Sequence, residues 1–223
     1  MEQKFWLERW EKGETGWHRD EVHPELPAHW PLLALPAKAR VFVPLCGASP
    51  DMAWLAAQGH EVIGVELSRL AIEAFLARHR VKHIVMEDHG FRTYLGGRYQ
   101  IWQGDLFALP DDALAGIDAV YDRASLVALP EEMRRRYARF LAERIAPGVP
   151  GLLISFSYDQ NKMSGPPFSV PASAVDDLLA ADFDITALSN SDALDESLKK
   201  RGLTAVQESS YLLRRKSTSG DRA

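Results

Sequence analysis

Three acids and an arginine are spaced along this chain in a way that could do chemistry. Glu66 lies 19 residues after Gly47, and Asp105, Asp122 and Arg123 follow, each just after a short apolar run. In a strand, loop, helix, strand unit, a carboxylate about 20 residues beyond the first-loop glycine accepts hydrogen bonds from a ribose diol. The spacing therefore points to a ligand that carries adenosine.

The loop narrows the choice. It reads Pro44-Leu45-Cys46-Gly47-Ala48-Ser49-Pro50, with one glycine and two prolines. A dinucleotide needs G-x-G-x-x-G, so that backbone can approach a pyrophosphate at a helix N-terminus. Proline removes a backbone donor from just that place. NAD and FAD are disfavoured. S-adenosylmethionine has no phosphate and needs a ribose-binding acid, apolar walls and polar groups for its amino-acid end, which this segment can supply.

These residues need elements to hold them. Val41, Phe42, Val43 and Leu45 form one β-rich apolar run, and residues 61–65 form a second, both reading as buried parallel strands. Between them Ser49 caps a helix, Pro50 suits its first turn, Met52, Leu55 and Ala56 face inward, and Gly59 ends it. Ser68 caps the next helix, with Leu70, Phe75 and Leu76 inward. Residues 81–97 read as a strand-like insertion with apolar pieces at 84–86 and 91–95. Further strands are expected at 99–103, 117–121 and 151–157, with 183–188 and 205–213 as a closing pair, and 110–115 as a short helical link. A long helix begins at Pro130, with Met133, Tyr137, Phe140, Leu141 and Ile145 inward. The loop 165–171 precedes a helix with Val175, Leu178 and Leu179 inward.

In that order Glu66, Asp105 and Asp122 fall at the carboxyl ends of successive strands, where open α/β sheets bind ligands. Any one of them alone reads equally well as a helix cap or solvated turn. Asp105 is the candidate for the adenine side, and Asp122 has the alternative of positioning Arg123. Arg123 would project over the ligand and could hold an anion bidentately, or form a surface ion pair with Asp122. Three of the six tryptophans, Trp6, Trp10 and Trp17, lie in the first 17 residues. Packing on the sheet would account for some of them; an aromatic cover over the cleft accounts for all, with Trp10 against the cofactor.

Composition agrees with one enzyme domain over residues 1–223, with 1–30 as a lid segment and 216–223 as a flexible tail. The chain is 46% hydrophobic, carries a net charge of −5 and has a pI near 5.8, which argues against a protein that lives on nucleic acid or an anionic membrane. No run approaches the roughly 18 apolar residues of a transmembrane helix, and residues 1–6 do not read as a secretory signal. One cysteine excludes an internal disulfide framework, and the histidines show no metal-ligand spacing. A cytoplasmic protein is expected. Nothing demands an oligomer, so a monomer without nucleic-acid or membrane partners is the expectation.

Several motifs together resemble the thiopurine S-methyltransferases: Val41-Phe42-Val43-Pro44-Leu45-Cys46-Gly47, then Ser49, Asp51-Met52, Trp54-Leu55-Ala56 and Gly59-His60. Phe5-Trp6, Arg9-Trp10, Trp17-His18, Tyr121-Asp122-Arg123-Ala124, residues 166–171 and Tyr211-Leu212-Leu213 belong to the same resemblance, which covers almost the whole chain and looks more like the bacterial branch. It implies a three-layer, Rossmann-like class I methyltransferase fold: a mostly parallel seven-stranded sheet with an antiparallel C-terminal strand, and an N-terminal aromatic lid. It implies S-adenosylmethionine as donor and aromatic or heterocyclic thiols such as thiopurines as acceptors (EC 2.1.1.-, by family 2.1.1.67), with selenium or tellurium species, and so tellurite tolerance, as a further expectation. Carried over by motif, Trp10, Leu45, Glu66 and Arg123 contact the cofactor; Gly47 and Asp105 join them from the spacing. Trp17 and Phe168 are assigned to the acceptor side, and Arg123 is a candidate stabiliser of the acceptor. Lys199-Lys200-Arg201-Gly202 stands where the family places basic residues by the acceptor.

No obligatory general base is expected, because a thiol on an electron-poor ring ionises near neutral pH and the site mainly orients it. Cys46 reads as a small apolar filler. Two rivals stay open. A nucleic-acid or other small-molecule methyltransferase would share the fold, and Gly165-Pro166-Pro167-Phe168 superficially resembles the [DN]-P-P-[YF] motif, but Gly165 offers no side-chain acceptor; the basic run 134–136 reads as a solvated helix face. A non-catalytic S-adenosylmethionine-binding module would keep Glu66 and Trp10 without an acceptor pocket.

Overall fold

Alternation of apolar strands with capped helices builds the first of two compact units, which ends at Tyr121; the second begins at Asp122. The computed structural model describes residues 3–88 and 90–217. The expected lid segment thus lacks residues 1 and 2, and 218–223 of the expected tail also lie outside the described residues; Lys216 still donates from its backbone to the Asp182 carbonyl at 2.9 Å.

The first unit opens with α1 (Gln3–Lys12) and the short α2 (Glu25–His29), followed by β1 (Arg40–Val43), α3 (Pro50–Ala57), β2 (Glu61–Glu66) and α4 (Arg69–Arg78). A hairpin of β3 (Ile84–Asp88) and β4 (Phe91–Gly96) precedes β5 (Tyr99–Gln103), and β6 (Ala119–Arg123) leads out of the unit. Strand order runs β3-β4-β5-β2-β1-β6. β1 pairs parallel with β2 and β6, and β2 pairs parallel with β5, whereas the hairpin adds two antiparallel ladders. The strands covered on both faces are nearly all apolar, as parallel sheets require: Val41, Phe42, Val62, Val65 and Ile101 are fully or almost fully buried.

The caps are those expected. Ser49 Oγ accepts from the Asp51 N–H and Ser68 Oγ from the Ala71 N–H. Two details differ from the sequence reading. Leu70 is exposed, and Ala71 and Ile72 take the inward positions beside Phe75 and Leu76, because the helix starts one residue after its Ser68 cap and Leu70 falls on the outer face. Residues 110–115 form turns rather than a helix; the short 3-10 turn lies earlier, at Leu106–Ala108, where Asp105 caps it.

The second unit contains α5 (Ser125–Ala128), α6 (Glu131–Arg144), β7 (Pro150–Tyr158), α7 (Ala172–Leu179), β8 (Phe183–Asp192), α8 (Glu196–Lys200) and β9 (Val206–Arg215). Its strands run β7-β9-β8, both ladders antiparallel, so the closing pair is the one expected. Nine strands are described instead of seven, because the insertion at 81–97 forms a complete hairpin. Tyr137, Phe140, Leu141 and Ile145 are buried as the helical period predicts. Arg134 is buried too, at 8% exposure, which corrects the reading of 134–136 as a solvated face; only Arg135 and Arg136 are exposed. No helix among the described residues is long and apolar enough to cross a membrane.

Candidate functional site

At the carboxyl end of β1 the chain turns twice through left-handed conformations, at Leu45 (φ 45°) and Gly47 (φ 53°). Glycine tolerates this freely; leucine does so at a cost of order 1 kcal/mol or more, and must be held. The next residue supplies the hold: Cys46 N–H donates to the Val65 carbonyl at 3.0 Å, tying the loop to β2. Glycine in β2 makes the approach possible. A Cβ added at Gly64 would stand 2.8 Å from Cys46 Sγ. The thiol is buried, and burial, then the neighbouring Glu66 charge, push its pKa well up, so it stays protonated and inert.

Glu66, the last residue of β2, is 6% exposed. Its Oε2 accepts from the Gly47 N–H at 2.9 Å and its Oε1 from the Ser68 N–H at 2.7 Å, so one carboxylate bridges the loops after β1 and β2. Burial raises its pKa and these backbone donors pull it back. Beside it, the Gly104 N–H donates to the Glu66 carbonyl, which places Asp105 at the neighbouring strand end. Asp105 Oδ1 accepts from the Phe107 N–H, and Oδ2 accepts from Gln3 Nε2 at 3.1 Å.

That last contact brings α1 across the strand ends. A Cβ at Gly47 would stand 3.5 Å from Trp10 Cζ2, ordinary van der Waals contact, so the Trp10 indole lies over the glycine loop. Trp17 packs edge-on to both Trp6 (5.1 Å) and Trp10 (6.3 Å). No residue of α1 is buried. The segment is anchored further along: Arg78 donates to the Asp20 carboxylate and carbonyl, each at 2.8 Å, and the His23 N–H donates to Asp51 Oδ1 at 2.8 Å. The other Asp51 oxygen accepts from Tyr121 Oη at 2.9 Å. The first unit thus gathers Trp10, Trp17, Leu45, Gly47, Glu66 and Asp105, all expected.

In the second unit Asp122 is buried. It accepts from Tyr137 Oη at 2.6 Å and from the Ser125 N–H at 3.2 Å. Burial raises its pKa; the burial of Tyr137 itself, then the Asp122 charge, raise that of Tyr137 well above normal. Arg123, half-exposed, ends β6, and Ala124 then turns through φ 73° into α5. Phe168 stands on the proline-rich loop. Its N–H donates to the Val127 carbonyl at 2.6 Å, and its ring covers Gly165, where a Cβ would meet Phe168 Cδ1 at 2.6 Å. Arg134 holds this loop from below: Nε donates to the Leu129 carbonyl, Nη1 to the Ser169 carbonyl, and its guanidinium lies 5.7 Å from the Phe168 ring centre. Tyr158 adds a bond to the Pro167 carbonyl at 2.6 Å.

Gln3, Asp51 and Arg134 were not singled out as positioning groups. An acid in the first turn of a helix reads as a dipole partner, and an arginine in a basic run reads as solvated; neither pattern discloses a distant partner.

Parallel strands alternating with helices, a single-glycine first loop and a buried acid ending β2 define the class of S-adenosylmethionine-dependent methyltransferases. Solved structures agree at the level of fold: a methyltransferase of this type from Anabaena variabilis superposes with a TM-score of 0.67 at 14% identity, covering 96% of this chain and 95% of that one. The 1,6-didemethyltoxoflavin-N1-methyltransferase of Burkholderia thailandensis, solved with bound 1,6-didemethyltoxoflavin and S-adenosylhomocysteine, gives 0.63 at 20% identity, covering 96% and 87%. Within the class, the family model described as thiopurine S-methyltransferase matches residues 1–216, and the chain belongs to that family. Relatives named thiopurine S-methyltransferase are 44% identical in Pseudomonas fluorescens, covering 96% of this chain and 99% of that one, and 44% identical in Xanthomonas campestris, covering 96% and 100%. The chain is a methyltransferase whose cofactor is S-adenosylmethionine.

Proposed function

We propose that this protein methylates the sulfur of aromatic and heterocyclic thiols, thiopurines among them, and that residues 1–223 act as one methyltransferase domain. The observation that carries the reading is the Glu66 carboxylate bridging Gly47 and Ser68 beneath the Trp10 indole. A carboxylate has about four acceptor positions. Backbone donors at Gly47, Ser68 and Leu67 fix its orientation, leaving the remaining acceptor capacity for a ribose diol. Trp10, Leu45, Gly47 and Asp105 complete the cofactor set, with Arg123 as a further contact. The fit is chemical as well: the loop offers few phosphate donors and an aromatic face, suiting a cation without phosphate.

Bound S-adenosylmethionine supplies a methyl group on a cationic sulfur. The chain's own residues orient and desolvate. Trp10 shields the loop from water, Trp17 and Phe168 offer flat surfaces to a flat acceptor, and the Arg123 guanidinium stabilises the acceptor as an anion. No side chain is needed as a base, since a heterocyclic thiol reaches the site as thiolate and needs alignment above all. Selenium and tellurium species, also soft nucleophiles, are proposed as secondary acceptors, and the cytoplasm as the compartment.

The test has two stages. Calorimetry should show S-adenosylmethionine binding, and mass spectrometry should then show a single methyl added to sulfur of 6-mercaptopurine, with selenite and tellurite as separate arms. Binding without transfer to any thiol would remove the acceptor class and favour the binding-module alternative.

A further inference from the structure

Five large apolar side chains are exposed among those described, and three are consecutive: Ile84 (63%), Val85 (46%) and Met86 (51%). They are the first three residues of β3, the outermost strand of its sheet, which pairs with β4 through five uninterrupted residue pairs. An outermost strand turns a row of backbone N–H and C=O groups outward, and natural edges are guarded by charge, proline or a bulge. β8, the outermost strand of the second unit's sheet, is guarded. Asp184, Thr186, Asn190 and Ser191 are exposed on it, and its ladder is broken between Ala187 and Ser189. The stretch Ile84–Met86 of β3 carries none of these devices.

Polar residues of opposite kind flank the apolar stretch: Lys82 and His83 just before β3, and Glu87 within it, all exposed. Glu87 also pairs with Arg92 on the same hairpin at 2.8 Å, an exposed pair that leaves it open to other partners.

We propose that β3 pairs antiparallel with β3 of a second copy of this chain, about a two-fold axis at Val85. This departs from the monomer expected from sequence. A two-fold contact is self-complementary, residue i meeting j and j meeting i. Centred on Val85, the pairing sets Val85 against itself, Ile84 against Met86, and His83 against Glu87. Centring on Ile84 would instead set Lys82 against Met86, and centring on Met86 would set Val85 against Glu87. Only the Val85 register matches apolar with apolar and basic with acidic. So short a contact belongs to the small, weak class of interfaces, below about 1,200 Å², and the dimer forms at high protein concentration.

Sedimentation velocity from micromolar to millimolar chain is the test. The wild type should rise from 24.9 kDa toward twice that mass. Val85→Lys, which sets like charges on the axis, should stay at 24.9 kDa throughout. His83→Glu, which sets glutamate against Glu87 in both copies of the contact, should weaken association at least tenfold, and Glu87→Lys should weaken it too by removing the acidic partner of position 83. Their equimolar mixture should restore it, because glutamate 83 of one variant then meets lysine 87 of the other. Unchanged melting curves show that the fold survives. A wild type that stays monomeric, a Val85→Lys dimer, or a mixture that fails to recover would overturn the proposal.

Discussion

Glu66 ends β2 and Asp122 lies one residue from the end of β6; both carboxylates are buried, and burial raises both pKa values. Their donors differ. Glu66 accepts from backbone N–H groups of two loops at the strand ends, Gly47 and Ser68, the places where a ligand meets this fold. Asp122 accepts from Tyr137, a fully buried side chain in the middle of α6, and from the first turn of α5. One acid faces the loops and the other faces the core. On the proposed reading, the acid held by the loops meets the ligand and the acid held by the core does not.

The largest effect expected from this contrast is on stability. Asp122→Ala leaves the Tyr137 hydroxyl and the Ser125 N–H without their acceptor, at about 3 kcal/mol, while cofactor affinity in the surviving fold stays near wild type. Chemical denaturation paired with calorimetry measures both, and an affinity loss larger than the stability loss would break the contrast from that side.

Glu66→Ala should do the reverse, lowering S-adenosylmethionine affinity by about 2 kcal/mol, roughly thirtyfold, as charge-assisted bonds to a diol are lost. An affinity within twofold of wild type would remove Glu66 from the cofactor set.

Acidification sharpens the same point. Because burial holds the Glu66 pKa above the ordinary carboxylate value, the proton competes with the ligand at a higher pH than for an exposed glutamate. Affinity should be full above the raised pKa and decline as pH falls through it, by at most about tenfold per pH unit for one proton. Glu66→Gln should flatten that dependence in a binding titration against pH; persistence of the slope would assign it to another group.

The smallest effect belongs to Trp10. Trp10→Ala should weaken cofactor binding by about 1 kcal/mol, and Trp10→Phe should recover most of it, since a flat apolar face over Gly47 is what the contact requires. Equal losses in the two variants would point to the indole N–H instead.

Much of this frame was legible in the residues themselves. Ser49, Pro50 and Gly59 punctuate α3 locally, and β1 and β2 are largely apolar runs whose burial needs no knowledge of partners. The Gly47 to Glu66 interval was legible because a loop, a helix of fixed rise and a strand determine it. Asp51 was not, since its value lies in the His23 N–H and the Tyr121 hydroxyl, 28 and 70 residues away. Arg134 was misread for the same reason. Its run of three arginines suggests solvent, and only the carbonyls of Leu129 and Ser169 reveal that one of the three turns inward.

The contact between Gly64 and Cys46 gives the molecule a clock of its own. The chain has one thiol, and it sits in the loop that Glu66 and Trp10 enclose, pressed against a glycine with no room to swing aside. A thiol-specific reagent can reach that sulfur only while the loop is lifted from β2, so the labelling rate counts openings of the loop after β1 without any introduced probe. Slower labelling with ligand bound would put a free energy on how firmly the ligand clamps the loop.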